Sequence, residues 1–325
     1  MTKHTYYTII LFEEVYSVSE KKYPLKLKSE YYVVTANDLI KGRQKMTLRE
    51  SQMLSIAISQ VVAEDTDLKT YVTTVPELAA FMMIDENSLY RDLEKICTNL
   101  LQRVVKIQIG GENAKGRKKW KAFHWVSSAE YDNGKLTLRL SDDIKPFLLE
   151  LERYYSQTML GTLMTFRSYH TTRLYQYLKA VDGEKWGRVC EWTFSCEQLR
   201  ELFQVSEKDN QGNYKQYRQN RDLLKYTIKP AIAELNTSDY AYIYDYSENR
   251  EHINGQRGKP AIVGVRFKAI FFENDGHKTA KEKKDFYLRK SKPIIEQIQA
   301  KSAANQSEEE PLEGQMSFLN NGKEE

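Results

Sequence analysis

Two stretches of this chain follow the same order of predicted elements: a helix, a short helix, a long polar helix, a strand, a basic glycine-containing turn and a returning strand. The first unit spans residues 47–140 and the second unit spans residues 168–272. The repetition is one of pattern and not of residues. This order is typical of a helix-turn-helix extended by a β-hairpin. The sequence therefore predicts an α+β protein with two tandem winged-helix domains, a fold that usually binds DNA.

Length and charge set the outer bounds. The 325 residues have room for two domains of ordinary size, with residues left over. The net charge is only +4, from 49 Lys+Arg against 45 Asp+Glu. So small a net charge does not by itself indicate nucleic-acid binding, and only a local cluster of cations would. The three cysteines have no CxxC spacing, which favours buried, reduced thiols in a cytosolic protein.

We divide the chain into an N-terminal segment (1–30), a first winged-helix domain (31–160), a second (161–275) and a tail (276–325) that is disordered by composition. The longest apolar run near the start, residues 9–12, is too short for a signal peptide or a membrane span. We therefore expect a soluble cytoplasmic protein with no membrane partner.

Local signals place the first unit's helices. Apolar spacing predicts a helix over 47–64, and Thr47 with Glu50 forms a capping-box pattern at its start. A short helix opens at Thr74, and the third helix begins at Asp85. One face of the third helix should pack inward through Leu89, Leu93, Ile96 and Leu100. The opposite face includes the candidate DNA-contacting residues Asn87, Ser88, Arg91 and Lys95, although a solvated face explains them equally well.

A basic turn follows this helix, between strands predicted over 104–109 and 120–126. It carries four cations in five positions, Lys115, Arg117, Lys118 and Lys119, and we interpret it as a wing that follows a phosphate backbone. The alternative is a merely soluble hairpin. Gly111 and Gly116 are spaced as in a phosphate-binding loop, but Arg117-Lys118 stands where Lys-Ser/Thr is required. Asp132-Asn133-Gly134 predicts a second tight hairpin, and Ser141 should cap the helix after it.

The second unit is predicted as a helix over 168–181, a strand at 192–194, a helix from Ser195 to about Phe203, and a long helix from about Tyr214. The inward stripe of the long helix is Tyr217, Leu224, Ile228, Ala231 and Leu235. Five cations lie together on an adjacent arc: Lys215, Arg218, Arg221, Lys225 and Lys229. They repel one another in a free helix, which favours DNA recognition over a solvated face. Pro230 should kink the helix, and Arg257 and Lys259 mark a second basic loop between strands.

Sequence patterns weigh against an enzyme. Rolling-circle nicking enzymes need a His-hydrophobic-His metal pair, and the histidines at 4, 124, 170, 252 and 277 are far apart. There is no Walker motif. We expect no metal, no cofactor and no catalytic residue. A winged-helix transcriptional regulator, including an autorepressor, remains the alternative function.

Three segments resemble the iteron-binding plasmid replication initiators built from two winged helices. They are residues 32–40 running on to 46–52, residues 169–178, and residues 217–236. Ala36-Asn37 stands where the family more often has Ser-Asn. The resemblance implies binding to direct repeats in double-stranded origin DNA, opening of the nearby duplex and recruitment of host replication proteins. It also implies dimers formed through the first domain.

The tail contains one apolar island, Gln315-Met316-Ser317-Phe318-Leu319. It is similar to the pentapeptide by which bacterial replication proteins bind the sliding clamp, with Gln315, Met316, Phe318 and Leu319 as candidate contacts. Phe-Leu replaces the usual Leu-Phe order. An incidental hydrophobic end is the alternative.

Overall fold

The computed structural model describes residues 21–112, 118–149, 151, 154–182, 189–238, 240–252 and 259–271. Its α-helices are α1 (Asn37–Lys41), α2 (Leu48–Ile58), α3 (Val75–Phe81), α4 (Glu86–Gln102), α5 (Leu160–Thr165), α6 (Tyr169–Asp182), α7 (Cys196–Leu202), α8 (Asn220–Tyr226) and α9 (Ile228–Thr237). The strands are β1 (Lys22–Pro24), β2 (Tyr32–Ala36), β3 (Thr70–Thr74), β4 (Val104–Glu112), β5 (Lys118–His124), β6 (Val126–Asp132), β7 (Lys135–Leu140), β8 (Tyr155–Met159), β9 (Val189–Ser195), β10 (Ala241–Glu251) and β11 (Ala261–Phe271). Within these residues no helix is long and apolar enough to cross a membrane.

The helix starts predicted for the first unit are confirmed. The side chains of Thr47 and Thr74 each accept a hydrogen bond from the backbone N–H of the residue three positions on, Glu50 and Glu77. The carboxylates of these glutamates in turn accept from the backbone N–H groups of the two threonines. Asp85 caps α4 by accepting from the N–H of Ser88. The predicted stripe of α4 is buried at Leu89, Leu93, Ile96 and Leu100. The helix predicted over 47–64 is wrong at its far end, because α2 stops at Ile58 and the chain turns there.

Strand pairing shows which hairpin is the wing of the first unit. β3 lies between the first and second helices and pairs antiparallel with β7, which pairs in turn with β6. The turn between β6 and β7 has positive φ at both Asn133 and Gly134, as a type I′ hairpin requires. The wing is therefore β6–β7. The basic turn expected to be the wing lies in β4–β5, a separate two-stranded sheet inserted before it, so that assignment is corrected.

The sheet of the second unit has the order β10-β11-β9, with both neighbours antiparallel to β11. Buried rings of Trp192, Phe194 and Phe267 fill the space beneath it. Ser195 and Gln198 form a capping box at the start of α7, as predicted. This unit has the order of elements that the sequence predicted, with β10–β11 as its wing.

The long helix predicted from about Tyr214 begins only at Asn220 and is broken once, at Thr227, which corrects the sequence interpretation. Residues 214–219 are not helical, and Tyr217 within them has φ of 51°, which a right-handed helix does not allow. Thr227 then separates α8 from α9, and its hydroxyl donates a hydrogen bond of 2.6 Å to the carbonyl oxygen of Leu223. Pro230 has no N–H to give in the first turn of α9, so the expected kink takes the form of a break between two helices.

The two units share one buried core. β2 pairs antiparallel with β8, and the buried apolar residues form one continuous cluster from Val33 to Phe271. β1 pairs parallel with β3, so residues 22–24 of the N-terminal segment belong to the first unit's sheet. The helix expected after Ser141 is a 3₁₀ helix, Asp142–Phe147, without a side-chain cap. All three cysteines, Cys97, Cys190 and Cys196, are buried free thiols, as predicted.

Candidate nucleic-acid interface

The five cations of the second unit do not share one helix. Lys215 and Arg218 lie in the segment before α8, Arg221 and Lys225 lie one helical turn apart on α8, and Lys229 lies on α9. All five side chains are exposed. The sequence predicted that these cations share a single helical arc. In the structure they instead form a basic path, which runs from the segment before α8, along α8, to the first turn of α9.

Ion pairs distinguish these cations. Lys229 donates to Glu248 of β10 at 2.8 Å, and Arg250 donates to the same carboxylate at 2.6 Å. The hydrogen bond from Lys229 holds the pKa of Glu248 below its usual value, against partial burial. Lys229 thus ties α9 to the wing. Arg221 is 77% exposed, and its Nε lies 3.9 Å from Oδ1 of Asp222. An exposed ion pair at this distance is weak, so Arg221 can exchange it for a phosphate or a base.

The connection between α7 and α8 is the feature that sequence reasoning missed. In the first unit residues 82–85 join the two helices of the helix-turn-helix, whereas in the second unit residues 203–219 do so. This longer segment is folded: Lys208 and Tyr214 form a β-bridge, and Asp209 accepts from the N–H groups of Gln211 and Asn213, each at 2.9 Å. The helical wheel gave no signal of it.

The first unit presents a milder face. Asn87, Arg91 and Lys95 are exposed on α4, whereas Ser88 is half-buried and donates its N–H to Asp85. The same helix carries three acids, Glu86, Asp92 and Glu94. Arg91 lies 3.4 Å from Asp92, and the wing adds exposed Glu130 and Asp132. Acids therefore lie on the exposed face of α4 itself, whereas Glu207 and Glu248, which pair with Lys215 and Lys229 of the second unit, lie outside its α8.

The basic hairpin β4–β5 packs one side on the rest of the protein and exposes the other. Val105 and Phe123 are buried, and Phe123 contacts Phe147. On the outer side Trp120 is 59% exposed, with the Nζ of Lys106 3.9 Å from its ring centroid. Lys119, the residue before Trp120 in β5, is also exposed. Lys118 lies in β5, and Lys115 and Arg117 lie outside the described residues.

In the second wing Lys259 is exposed, and Arg257 lies outside the described residues. The tail candidates lie outside them too: Gln315, Met316, Phe318 and Leu319.

We searched the described residues for clusters of side chains that could hold a metal ion or supply a nucleophile. No group of three or more His, Cys, Asp or Glu side chains is arranged there to hold a metal ion. The pKa of His170 is lowered by burial, and burial also raises the pKa of Cys97 and Cys196 to about 11. Neither thiol is therefore a nucleophile near neutral pH.

Two helix-turn-helix units, each closed by its own wing, define the class: this is a tandem winged-helix protein. Residues 32–179 match the family model described as "Initiator Replication protein, WH1". A replication initiation protein of Escherichia coli is 25% identical over 236 residues, which cover 71% of this chain and 67% of the relative. Over these residues the chain is similar to replication initiator proteins.

The fold is also that of a solved initiator. The crystal structure of the Pi initiator protein in complex with iteron DNA superposes with a TM-score of 0.57 and 18% sequence identity. The match covers 76% of this chain and 100% of that one. At this identity the likeness establishes the tandem winged-helix fold.

Proposed function

We propose that this protein binds double-stranded DNA at direct repeats of a plasmid origin, in a sequence-specific manner, and thereby initiates replication. The observation that carries the proposal is the exposed basic path of Arg218, Arg221 and Lys225 at the helix-turn-helix of the second unit. Support comes from the match of residues 32–179 to the replication initiator family model, and from the fold shared with the Pi initiator, whose structure was solved with iteron DNA.

In this proposal α8 enters the major groove. Arg221 and Lys225 lie one turn apart on its exposed side, and Arg218 precedes its first residue. Arginine donates two parallel hydrogen bonds to the O6 and N7 atoms of guanine, so Arg218 and Arg221 are the candidates for base reading. Lys215, Lys225 and Lys229 contact phosphates, and Lys215 and Lys229 do so by exchanging their ion pairs with Glu207 and Glu248.

The first unit contributes a second, weaker contact. Asn87, Ser88, Arg91 and Lys95 of α4 face a neighbouring groove, and Lys119 and Lys259 of the hairpins follow phosphates, together with Lys115, Arg117, Lys118 and Arg257. Three acids on the same helix oppose this contact. We therefore assign most of the specificity to the second unit.

A binding experiment tests this assignment. Fluorescence anisotropy would compare the affinity for a duplex with origin repeats against a scrambled duplex of equal length and composition. Arg221→Ala should reduce binding to the repeats by about 1–3 kcal/mol and leave the scrambled duplex nearly unaffected. Lys28→Ala, in an exposed cation outside both helix-turn-helix units, serves as the control. Unchanged specific binding by both Arg218→Ala and Arg221→Ala would refute the recognition surface.

The alternative is a transcriptional regulator with the same fold. A plasmid with the repeats and the adjoining AT-rich DNA, but no initiator gene, separates the two functions. Replication of that plasmid only when the protein is supplied in trans supports an initiator. Repression of a promoter without replication supports a regulator.

We also propose that the protein has no catalytic activity of its own. Incubation of supercoiled origin plasmid with the purified protein and Mg²⁺ should leave the plasmid supercoiled. Open circles that depend on the protein would show a nicking enzyme.

Partner proteins complete the proposal. We propose that the protein recruits host replication proteins, that Gln315, Met316, Phe318 and Leu319 bind the sliding clamp, and that the first domain forms a homodimer. Deletion of residues 314–325 should abolish binding to purified clamp, whereas unchanged binding would reject the motif. Sedimentation of the isolated first domain and of the full chain would test dimer formation.

A further inference from the structure

One buried arginine organises the segment before α8. Arg200 of α7 is 1% exposed, yet its guanidinium reaches across to residues 214–220. Nη2 donates to the carbonyl oxygen of Tyr217 at 2.7 Å and to Oδ1 of Asn220 at 3.1 Å. Nη1 donates to the carbonyl oxygen of Gln216 at 3.2 Å, and the guanidinium lies 3.7 Å from the ring centroid of Tyr214.

The segment held in this way is strained. Tyr217 has φ of 51°, in the left-handed region, which costs a bulky residue on the order of 1–2 kcal/mol. Such a conformation persists only when its surroundings enforce it. Arg200 bonds the carbonyl of Tyr217, and the Tyr217 ring stacks on Tyr226 of α8, with centroids 5.8 Å apart and planes at 19°.

The same network reaches the sheet. Nδ2 of Asn220 donates to the carbonyl oxygen of Ile262 in β11 at 2.7 Å, so the first residue of α8 is fixed between Arg200 and the wing. Lys215 and Arg218 lie on either side of the left-handed Tyr217, and both are exposed. The position of these two cations relative to α8 therefore depends on Arg200.

Only arginine suits this position. A planar guanidinium offers donors in a fixed fork and a flat face for the Tyr214 ring, whereas a lysine ammonium offers one compact centre. Burying a cation among carbonyl oxygens is costly, and removing it would leave those carbonyls without their donors.

We propose that Arg200 is a positioning residue for DNA recognition. It holds residues 214–220 so that Arg218 extends the reading surface of α8 and Lys215 reaches a phosphate beside it, and the second unit contacts more of a repeat than α8 alone can reach. This inference rests on the DNA-binding function proposed above.

A double-mutant cycle in the full chain tests whether Arg200 acts through Arg218. The proteins are the unsubstituted chain, Arg200→Lys, Arg218→Ala and the double variant, each titrated with the repeat duplex and with the scrambled duplex. We expect Arg200→Lys to weaken binding to the repeats about tenfold in the native background and less than about twofold in the Arg218→Ala background. Equal losses in the two backgrounds would overturn the inference.

A matched cycle with Arg91→Ala in place of Arg218→Ala provides the control. Arg91 lies in the other unit, so its loss and that of Arg200→Lys should simply add. Coupling of the same size to Arg91 would indicate a general structural defect and would overturn the inference. If thermal unfolding shows that Arg200→Lys does not fold, Tyr214→Leu replaces it in both cycles, because it removes the ring from the guanidinium and leaves Arg200 in place. The same criteria then apply.

The two proposals fail differently. Equal binding of both duplexes by the unsubstituted chain would refute sequence-specific recognition, and this inference with it. Clear discrimination by the unsubstituted chain, together with no coupling between residues 200 and 218, would refute the role of Arg200 alone.

Discussion

Nη2 of Arg173 donates a hydrogen bond of 2.6 Å to the carbonyl oxygen of Gly42. Arg173 belongs to α6 of the second unit and is 1% exposed, whereas Gly42 ends α1, beside the first unit. The same guanidinium also donates to the carbonyl oxygen of Ile40 and, at 3.4 Å, to that of Leu202. One side chain thus connects α1, α6 and the helix-turn-helix of the second unit.

We expect Arg173→Ala to destabilise the whole chain. The substitution leaves buried carbonyl oxygens without donors, a loss of about 2–4 kcal/mol in the free energy of unfolding. Chemical denaturation followed by circular dichroism would measure it. Arg167→Ala, in an exposed arginine close by, is the control and should change stability by less than about 0.5 kcal/mol. Equal stability of both variants would show that the link contributes nothing.

The second prediction concerns Glu50, which is fully buried and receives hydrogen bonds from Arg103 at 2.7 and 2.9 Å and from Asn99 at 3.0 Å. Burial acts to raise the pKa of its carboxyl, but the bonds from Arg103, the Thr47 N–H and Asn99 outweigh it, so the pKa is lowered. Glu50→Gln breaks the ion pair of a buried carboxylate with the partly exposed Arg103 and should lower the free energy of unfolding by about 3 kcal/mol at pH 7.

The sign of the pH dependence follows from that lowered pKa. The carboxylate stabilises the fold above its unfolded pKa of about 4.3, and this contribution is lost as the pH falls through the lower folded value. The difference in stability between the unsubstituted chain and the Glu50→Gln variant should therefore shrink below about pH 4. Glu77→Gln, in an exposed capping box of the same type, should show a smaller loss at pH 7. A difference that grows toward acid pH would contradict the prediction.

The hairpin cation Lys119 should act without regard to DNA sequence. Lys119→Ala is expected to weaken the repeat and scrambled duplexes by the same factor and to reduce the salt slope of binding by about one unit. Affinity titrations at several salt concentrations would measure both quantities. The contrast is Arg221→Ala, which should affect the repeats selectively. If Lys119→Ala weakened binding to the repeat duplex but not to the scrambled duplex, Lys119 would contact bases and not phosphates.

Gly264 of β11 should tolerate no side chain. A Cβ there would lie 2.4 Å from the carbonyl oxygen of Phe194 in the neighbouring strand and 3.2 Å from Cα of Ser195. Backbone atoms must then move, so Gly264→Ala should cost about 1–3 kcal/mol in thermal unfolding. Gly212→Ala is the comparison: its φ is +82° and nothing lies within 4 Å, so only local strain opposes it, about 1 kcal/mol. A smaller loss at Gly264 than at Gly212 would contradict the crowding.

Several features were predictable from the sequence because they depend on residues within one or two helical turns. The capping boxes of Thr47 and Ser195 each join residues three apart, and both formed as expected. The Asn133-Gly134 turn follows from local φ preferences. The buried stripe of α4 and the exposure of Arg221 and Lys225 follow from helical periodicity. The two-unit fold itself follows from the order of these local signals.

Tertiary contacts decided the rest. The helical wheel predicted one continuous helix from about Tyr214. In the structure a hydrogen bond from Arg200 holds Tyr217 in a conformation that a right-handed helix does not allow. That bond joins residues of different elements, so the local sequence does not indicate it. The wing of the first unit was fixed by pairing of β3 with β7, which places Tyr71 opposite Leu138. Arg173 and Gly42 are 131 positions apart, and nothing local marks either as a link. The sequence by itself determined which segments form helices and turns, because those energies are local. Only the folded chain decided where helices break, which hairpin is the wing and which arginines are buried, because those depend on residues that folding alone brings together.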